Sequence, residues 1–400
     1  MNNKIKLAVA GAVLSAASVA NAGIVIPAGD WTMDINGNVN LFLQMTKADD
    51  PNAAGSSVVG GMATTKDSAG EDTKFSMGTG LLPAWLGFTG TTRQNDLDVS
   101  FTISIQPSTS NNSPTGDAND SATRQAFITF GDASWGSIKM GKDLGIFASN
   151  AILNDITLIG VGGLPVGGIT SLGGIGNGYM YAGFRGQATY TTPNMNGLQV
   201  QVGLMNPDQG QDTTDQGIFD DRFGLEAQAT YSFTNGKVWA GLSSYEVAGT
   251  NDYDANHADV GAQFNAGNLQ LTGYYYSGDG GGAGLGLNRL GGDHPNAVPN
   301  LSATGQERDQ DGGYLQATYV IASGTKLGIA AATSQNDLAS GETAGGTAAH
   351  HSTDRWTVGA YHPLTKHLNL VAEYNDIEND DHEGDSASSQ HMAIGAILFF

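Results

Sequence analysis

Apolar and polar residues alternate along most of the chain, the period of a β-strand whose two faces meet unlike surroundings. Near the start, Ile35, Val39, Leu41, Leu43 and Met45 share one parity, and Asp34, Asn36, Asn38, Asn40 and Gln44 share the other. Leu97, Val99, Phe101, Ile103 and Ile105 alternate with Asp98, Ser100, Thr102, Ser104 and Gln106. Leu198, Val200, Val202 and Leu204 alternate with Gln199 and Gln201. Phe223, Leu225, Ala227, Ala229 and Tyr231 alternate with Arg222, Glu226, Gln228 and Thr230. The pattern returns around Val260, Leu271, Leu315, Ile329, Val358 and Leu370, and ends with Met392, Ile394, Ala396, Leu398 and Phe400 on one face. At 73–91 and 179–192, Gly and Thr blur it.

The connections between runs alternate between short and long. Seven short ones carry turn chemistry, at 93–96, 131–134, 193–197, 234–236, 265–268, 322–325 and 363–366. Eight longer, polar, Gly- and Asp-rich stretches lie near 47–72, 107–122, 143–178, 206–221, 247–256, 277–311, 335–352 and 376–388. Fifteen connections predict sixteen strands. An even number of antiparallel strands, with short turns at one end and long loops at the other, is the plan of an all-β transmembrane barrel. In lipid every backbone amide must be paired, so such a sheet closes. Sixteen strands leave a lumen too wide for side chains to fill, so water enters. A secreted β-sandwich or adhesin would alternate as well. Against it stand the short–long rhythm and the apolar last strand ending on an aromatic residue.

Composition narrows the class further. Lys and Arg total 17 against 39 Asp and Glu, a net charge of −22, which leaves too little cation for nucleic-acid binding. With no Cys there is no disulfide scaffold and no Cys-ligated metal. Charged residues are 14% of the chain, against roughly 25% in soluble domains, so lipid or neutral polar groups must cover much of the surface. Mean hydropathy of −0.20 excludes a bundle of membrane helices but not a barrel. Met1–Ala22 reads as a signal peptide, with Lys4 and Lys6 at its start, an apolar stretch, and Ala20-Asn21-Ala22 as the cleavage site. Residues 23–400 then form a single barrel domain.

Several segments resemble the general porin family of Gram-negative bacteria. They are Arg124–Gly131 with Trp135–Lys142, Ala188–Asn194 with Gly197-Leu198, Tyr361–His367 with Asn369-Leu370, and the terminal Phe400. The resemblance implies a homotrimer in the outer membrane, in contact with lipid and lipopolysaccharide. It implies passage of small hydrophilic solutes and ions, and a C-terminal Phe400 presented to the barrel-assembly machinery. It also implies a third long loop, here 143–178, folded inward to narrow the pore, with basic wall residues facing acids on that loop. The matching positions are Lys142, with Lys139 and Arg185 beside it, Arg222 and Glu226 on a more distant strand, and Asp143 and Asp155 in the loop.

No Ser/His or Asp/His grouping suggests catalysis, and most of the eight His fall in loops or turns. The glycine runs at 174–178 and 278–282 lack the Lys-Ser/Thr of a phosphate loop. No cofactor is expected. Acids crowd two long loops, with Asp208, Asp212 and Asp215 in one and Asp376, Glu378, Asp380, Asp381 and Glu383 in the other. A ring of acids at a pore mouth concentrates cations within a Debye length, about 8 Å at physiological salt. Weak cation preference follows, and calcium or magnesium could bridge the carboxylates. Trp31, Trp85, Trp239 and Trp356 are expected in the membrane-interface girdles. A saccharide-specific channel is the alternative of the same architecture, with Tyr274 and Tyr276 as its stacking track.

Overall fold

The computed structural model describes residues 23–49, 66, 69–107, 121–163, 165–166, 170–206, 222–247, 253–281, 306–344 and 350–400. The signal segment 1–22 and the acidic positions Asp208, Asp212 and Asp215 lie outside them. The first strands are β1 (Ile24–Ala28), β2 (Trp31–Ala48), β3 (Thr73–Gly78), β4 (Trp85–Gln94), β5 (Leu97–Pro107), β6 (Ser121–Asp132) and β7 (Gly136–Leu144). A helix α1 (Ser149–Asn154), a 3-10 turn (Ile156–Ile159) and a small hairpin of β8 (Pro165–Val166) and β9 (Thr170–Ser171) follow. The wall resumes with β10 (Phe184–Thr191), β11 (Leu198–Met205), β12 (Gly224–Phe233), β13 (Gly236–Val247), β14 (Tyr253–Ala266) and β15 (Leu269–Asp279). It ends with β16 (Asp309–Val320), β17 (Lys326–Asn336), β18 (His350–Pro363), β19 (Leu368–Asp381) and β20 (Ser386–Phe399).

All wall strands pair antiparallel with their neighbours, and β20 pairs with β2 to close the sheet. The eighteen strands of this sheet occupy sixteen positions, because two positions are each shared by two segments. β3 pairs with the far half of β2 and β4 with its near half, so together they fill one position. β1 pairs with β2 over Ile24–Ala28, on the edge that β20 occupies further along. Gly37 and Phe400 exchange both backbone hydrogen bonds, at 2.8 and 3.0 Å. The first long strand and the last one thus meet at the seam.

All seven short connections are tight turns. At Asn95-Asp96 both residues have positive φ, 48° and 62°, the geometry that lets a two-residue hairpin follow the sheet twist. The last long connection is much shorter than the sequence pattern implies. The 376–388 stretch is mostly strand, because β19 runs to Asp381 and β20 starts at Ser386. Its strand character is hidden because acids replace apolar residues on the outward face. The 179–192 segment becomes strand only from Phe184, and 73–91 is broken at 79–84.

Burial follows the parity. Val39, Leu41, Leu43, Val202, Leu242, Val260, Leu315, Ile329 and Ile394 are exposed outside. Asn38, Asn40, Thr102, Gln228, Thr318, Thr357 and Asn375 are buried inside. A core that faces inward while the apolar surface faces outward is the reverse of a soluble protein, and it suits lipid. Trp356 points outward and meets Tyr374 edge-on at 5.8 Å. Trp239 departs from the girdle expectation: it is buried in the lumen, beneath the Lys237 ammonium.

Candidate pore constriction

The described residues of the 143–178 connection fold into the barrel and line one side of the lumen. It leaves the wall at Leu144, and Gly145 donates to the Gly183 carbonyl at 2.8 Å, so the two stems stay joined. The wall then holds the loop by its backbone. Glu226 Oε2 on β12 accepts from the amides of Ile146 at 2.6 Å and Phe147 at 3.0 Å. Asp259 on β14 accepts from Ala148 at 3.1 Å. On β16, Tyr314 donates to the Ala151 carbonyl, while Gln316 donates to that of Asn154 and accepts from the Ile156 amide. Glu373 Oε2 on β19 accepts from Val161 at 2.8 Å and Gly162 at 2.9 Å. Each contact satisfies an amide that the irregular loop cannot pair within itself.

Glycine explains how the second half of the loop lies so close to the wall. A Cβ on Gly160 would sit 1.9 Å from Glu373 Oε1, and Gly162, at φ +59°, would meet Gly173 at 2.6 Å. The Gly-rich segment is thus placed against the lumen wall. Beneath the loop lies an apolar cluster that includes Phe147, Ile152, Ile175, Tyr179, Trp239, Tyr274 and Tyr314. Tyr274 stacks on Tyr314 at 5.6 Å and donates to Asp259 at 3.2 Å. Tyr276 meets Ser334. Both rings are covered by the loop, so they do not form an open stacking track.

A cavity of about 230 Å³ lies between the loop and the β2–β7 side of the wall. Its polar side carries Asn36, Asn38, Thr89, Thr102, Gln125, Arg124, Lys139 and Asp143. Asp143 forms an ion pair with Lys139 and accepts from Gln125 Nε2 at 2.8 Å. The Lys139 ammonium lies 5.2 Å from the Phe127 ring centre. Arg124 donates to the Tyr181 hydroxyl at 3.2 Å and lies over Phe184. Its presence inside depends on a break in register. Ser104 pairs with Gln125 but Ile105 pairs with Thr123, and such a bulge re-aims the extra residue.

The opposite side of the cavity is aliphatic, with Ile152, Leu153, Leu158, Leu172 and Ile175 from the loop and Leu81-Leu82-Pro83 from the break between β3 and β4. That break leans on the loop, since the Leu81 amide donates to the Gly160 carbonyl at 2.9 Å. Asn40 fixes it by donating to Leu82 O and accepting from Gly80 N, both at 2.9 Å. Alternation singles out neither this insertion nor Arg124. The only signals are the blurred pattern at 73–91 and the basic residue at the start of the Arg124–Gly131 segment.

Of the charged residues expected at the constriction, Lys139 and Asp143 line the cavity. Arg185 and Glu226 face the lumen, but the root of the loop covers them. They form an ion pair at 3.3 Å, and Tyr245 donates to Glu226 at 2.6 Å. Asp155 is internal to the loop. It accepts from Thr157 N, Gly174 N and the Tyr179 hydroxyl, at 2.9, 3.0 and 2.7 Å. Burial and the Asp155 carboxylate push the Tyr179 hydroxyl well above its ordinary pKa, so it stays a donor. Two expectations are corrected. Lys142 shares the outward parity of Met140 and is exposed outside. Arg222 pairs with Glu246 at 2.9 Å and Asp254 at 3.2 Å, whose positions alternate with the inward Tyr245 and Ala255. At Lys142 the family resemblance, not the alternation, had pointed inward, and Arg222 lies just before β12, beyond the ladder that fixes which side a residue faces.

The second acidic group is corrected as well. Asp376, Glu378 and Asp380 are on the outward face of β19, not in a loop. Asp381 points inward and accepts from the amides of Glu383 and Asp385 at 2.9 and 2.8 Å, which closes the turn. Glu383 is exposed in that turn. No three His, Asp or Glu converge as a metal site among the described residues.

A closed sixteen-position barrel with an apolar exterior, a polar interior and an inward loop defines an outer-membrane channel of the porin class. The chain belongs to the Gram-negative porin family, whose model matches residues 7–382. This places it in the outer membrane. The fold is similar to that of an anion-selective porin from Comamonas acidovorans, at 15% identity and a TM-score of 0.65, covering 92% of this chain and 100% of that one. The outer membrane channel DcaP of Acinetobacter baumannii is similar at 16% identity and a TM-score of 0.68, covering 95% and 100%. OmpF of Salmonella typhi in complex with daunomycin is similar at 16% identity and a TM-score of 0.64, covering 94% and 100%. No curated protein sequence matches significantly.

Proposed function

We propose that the protein is a passive diffusion channel for small hydrophilic solutes and ions, with no catalytic step and no cofactor. The observation that carries this reading is the cavity left between the inward loop and the β2–β7 wall, lined by Arg124, Lys139 and Asp143. Size would be filtered where the inward loop faces this wall. We further propose a homotrimer. This is supported by family membership and by the similar fold of OmpT of Vibrio cholerae in its trimer form, at 14% identity and a TM-score of 0.55. Outward acids on β19 are where calcium or magnesium would bridge to lipopolysaccharide phosphates, and Phe400 is the end offered to the assembly machinery.

Charge selection has two parts in series. The acid excess of the chain favours cations at the mouth, which gives a weak cation preference. The constriction opposes it, with two cations to one carboxylate. The mouth field is screened within about 8 Å at physiological salt, so the two parts separate with ionic strength.

Recording purified protein in a planar bilayer across a KCl gradient tests the reading. Conductance in steps of three, with a reversal potential of cationic sign that weakens as salt rises, is the expected result. An anionic sign at every salt concentration would show that the lumen cations dominate. Well-folded protein without conductance would refute the channel. The covered Tyr274 and Tyr276 argue against a saccharide track, and equal liposome swelling by sugars and non-sugars of one size would exclude it.

A further inference from the structure

We infer that the constriction is a binding site for amphipathic organic monoanions, carboxylates with a short alkyl or aryl body. This inference rests on the channel reading above and names the solute class that the cavity beside the inward loop favours. Two features of the cavity carry it. One side presents Arg124 and Lys139, and the other is a continuous aliphatic surface.

The charge is not cancelled. Asp143 is the one carboxylate among the residues lining the cavity, and it is committed to Lys139 and Gln125. Among the described residues, Arg124 bonds to no acid; its partners are the Tyr181 hydroxyl and the Phe184 ring. A guanidinium offers five N–H donors in a planar fork, so two remain well placed for a carboxylate after one is used on a tyrosine. The other carboxylates that touch the loop, Glu226, Asp259 and Glu373, are spent on its backbone amides. They therefore hold the loop from behind and are not among the residues that line the cavity.

The apolar side is equally specific. The loop has its own packed core and buries Ile152 and Ile175 in it. Leu82, Leu153, Leu158 and Leu172 are left half-buried, and all four line the cavity. Aliphatic surface beside water is unfavourable unless something covers it. A sugar would cover it with hydroxyls that find no partners there. An alkyl or aryl body covers it while its carboxylate reaches Arg124 across a cavity of about 230 Å³.

The test uses the purified full-length protein in a planar bilayer, with benzoate and hexanoate as probes and acetate, benzylamine and glucose as controls. Hexanoate and benzoate are expected to interrupt the current in a saturating manner. Their half-saturation should lie at least about tenfold below that of acetate, since each fully buried methylene is worth roughly a factor of four. Benzylamine, with the same body and the opposite charge, should be at least about tenfold weaker than benzoate, in line with a charge-assisted hydrogen bond. Arg124→Gln should remove the preference for benzoate over benzylamine but keep the dependence on chain length. Leu153→Ser with Leu172→Ser should do the reverse. Heat-modifiable gel mobility confirms that each variant is folded, and Arg124→Lys gives a second charge-retaining control. Equal effects of hexanoate, acetate and benzylamine on a conducting channel would overturn the inference and leave the channel reading standing. Absence of conductance would remove both.

Discussion

Glu373 offers the sharpest test of how the loop is held. It is almost fully buried, with Oε2 accepting from Val161 and Gly162 at 2.8 and 2.9 Å and Oε1 from the Tyr361 hydroxyl at 2.6 Å. Glu373→Ala leaves three buried donors without an acceptor. Two of these, the Val161 and Gly162 amides, tie the loop to the wall, and at roughly 1.5 kcal/mol for each hydrogen bond to a charged group their loss is about 3 kcal/mol. A factor of ten corresponds to about 1.4 kcal/mol, so segment 160–163 should leave the wall roughly a hundredfold more often. The barrel itself should persist, because its ladders do not depend on this side chain. Glu373→Gln is the control: the amide oxygen can take both N–H groups, and the amide nitrogen can donate to Tyr361. Single-channel recording is the assay. The Ala variant should show brief closures and a noisier open current as the segment swings into the cavity, and the Gln variant should behave nearly as the parent does. Quiet, parent-like current from a folded Ala variant would refute the anchoring role.

Other perturbations address the same structure from different sides. Lys139→Gln should shift the reversal potential toward cations in a KCl gradient, whereas Lys142→Gln, on the outer face, should leave it unchanged. Arg308 pairs with Glu342 at 2.6 Å in the loop beyond β17, and the guanidinium holds that carboxyl below its ordinary value of 4.5. The depressed value means the pair contributes fully above 4.5 and is lost as pH falls through the folded value. Proteolysis of the 337–344 segment, measured with an acid-active protease, should therefore rise below that point. Glu342→Gln should show the same susceptibility at neutral pH. Replacing Asp96, at φ 62°, by Val should cost at least about 1 kcal/mol, the left-handed penalty, and lower the urea midpoint for refolding into detergent. Asp96→Gly should not lower it.

The wall was legible in the sequence because its physics is local. A period of two, turn residues at one end and polar stretches at the other are enough to count sixteen positions. The 376–381 segment escaped because acids occupy outward positions above the apolar band, where alternation no longer marks a face. The site was harder to read. Lys139 was placed by the lumen parity and Asp143 by the loop that the family resemblance implies, but parity says nothing of what lies over a lumen-facing residue. Arg185, Glu226, Tyr274 and Tyr276 all face inward and are nevertheless covered. Arg124 depends on a one-residue bulge, and Leu81–Pro83 on an interrupted strand. Both are long-range adjustments to the loop, with no periodic trace.

The seam at Gly37 and Phe400 also bears on the order of assembly. The closing ladder joins the first long strand to the last one, so nearly the entire chain must be present before the sheet loses its open edges. Every intermediate short of that point carries two strands with unpaired amides, the surfaces that recruit other chains. Contacts of such sequence separation form late and slowly. Until β20 meets β2 the sheet therefore stays open along both edges, and that last pairing removes the surfaces on which another chain could add a strand.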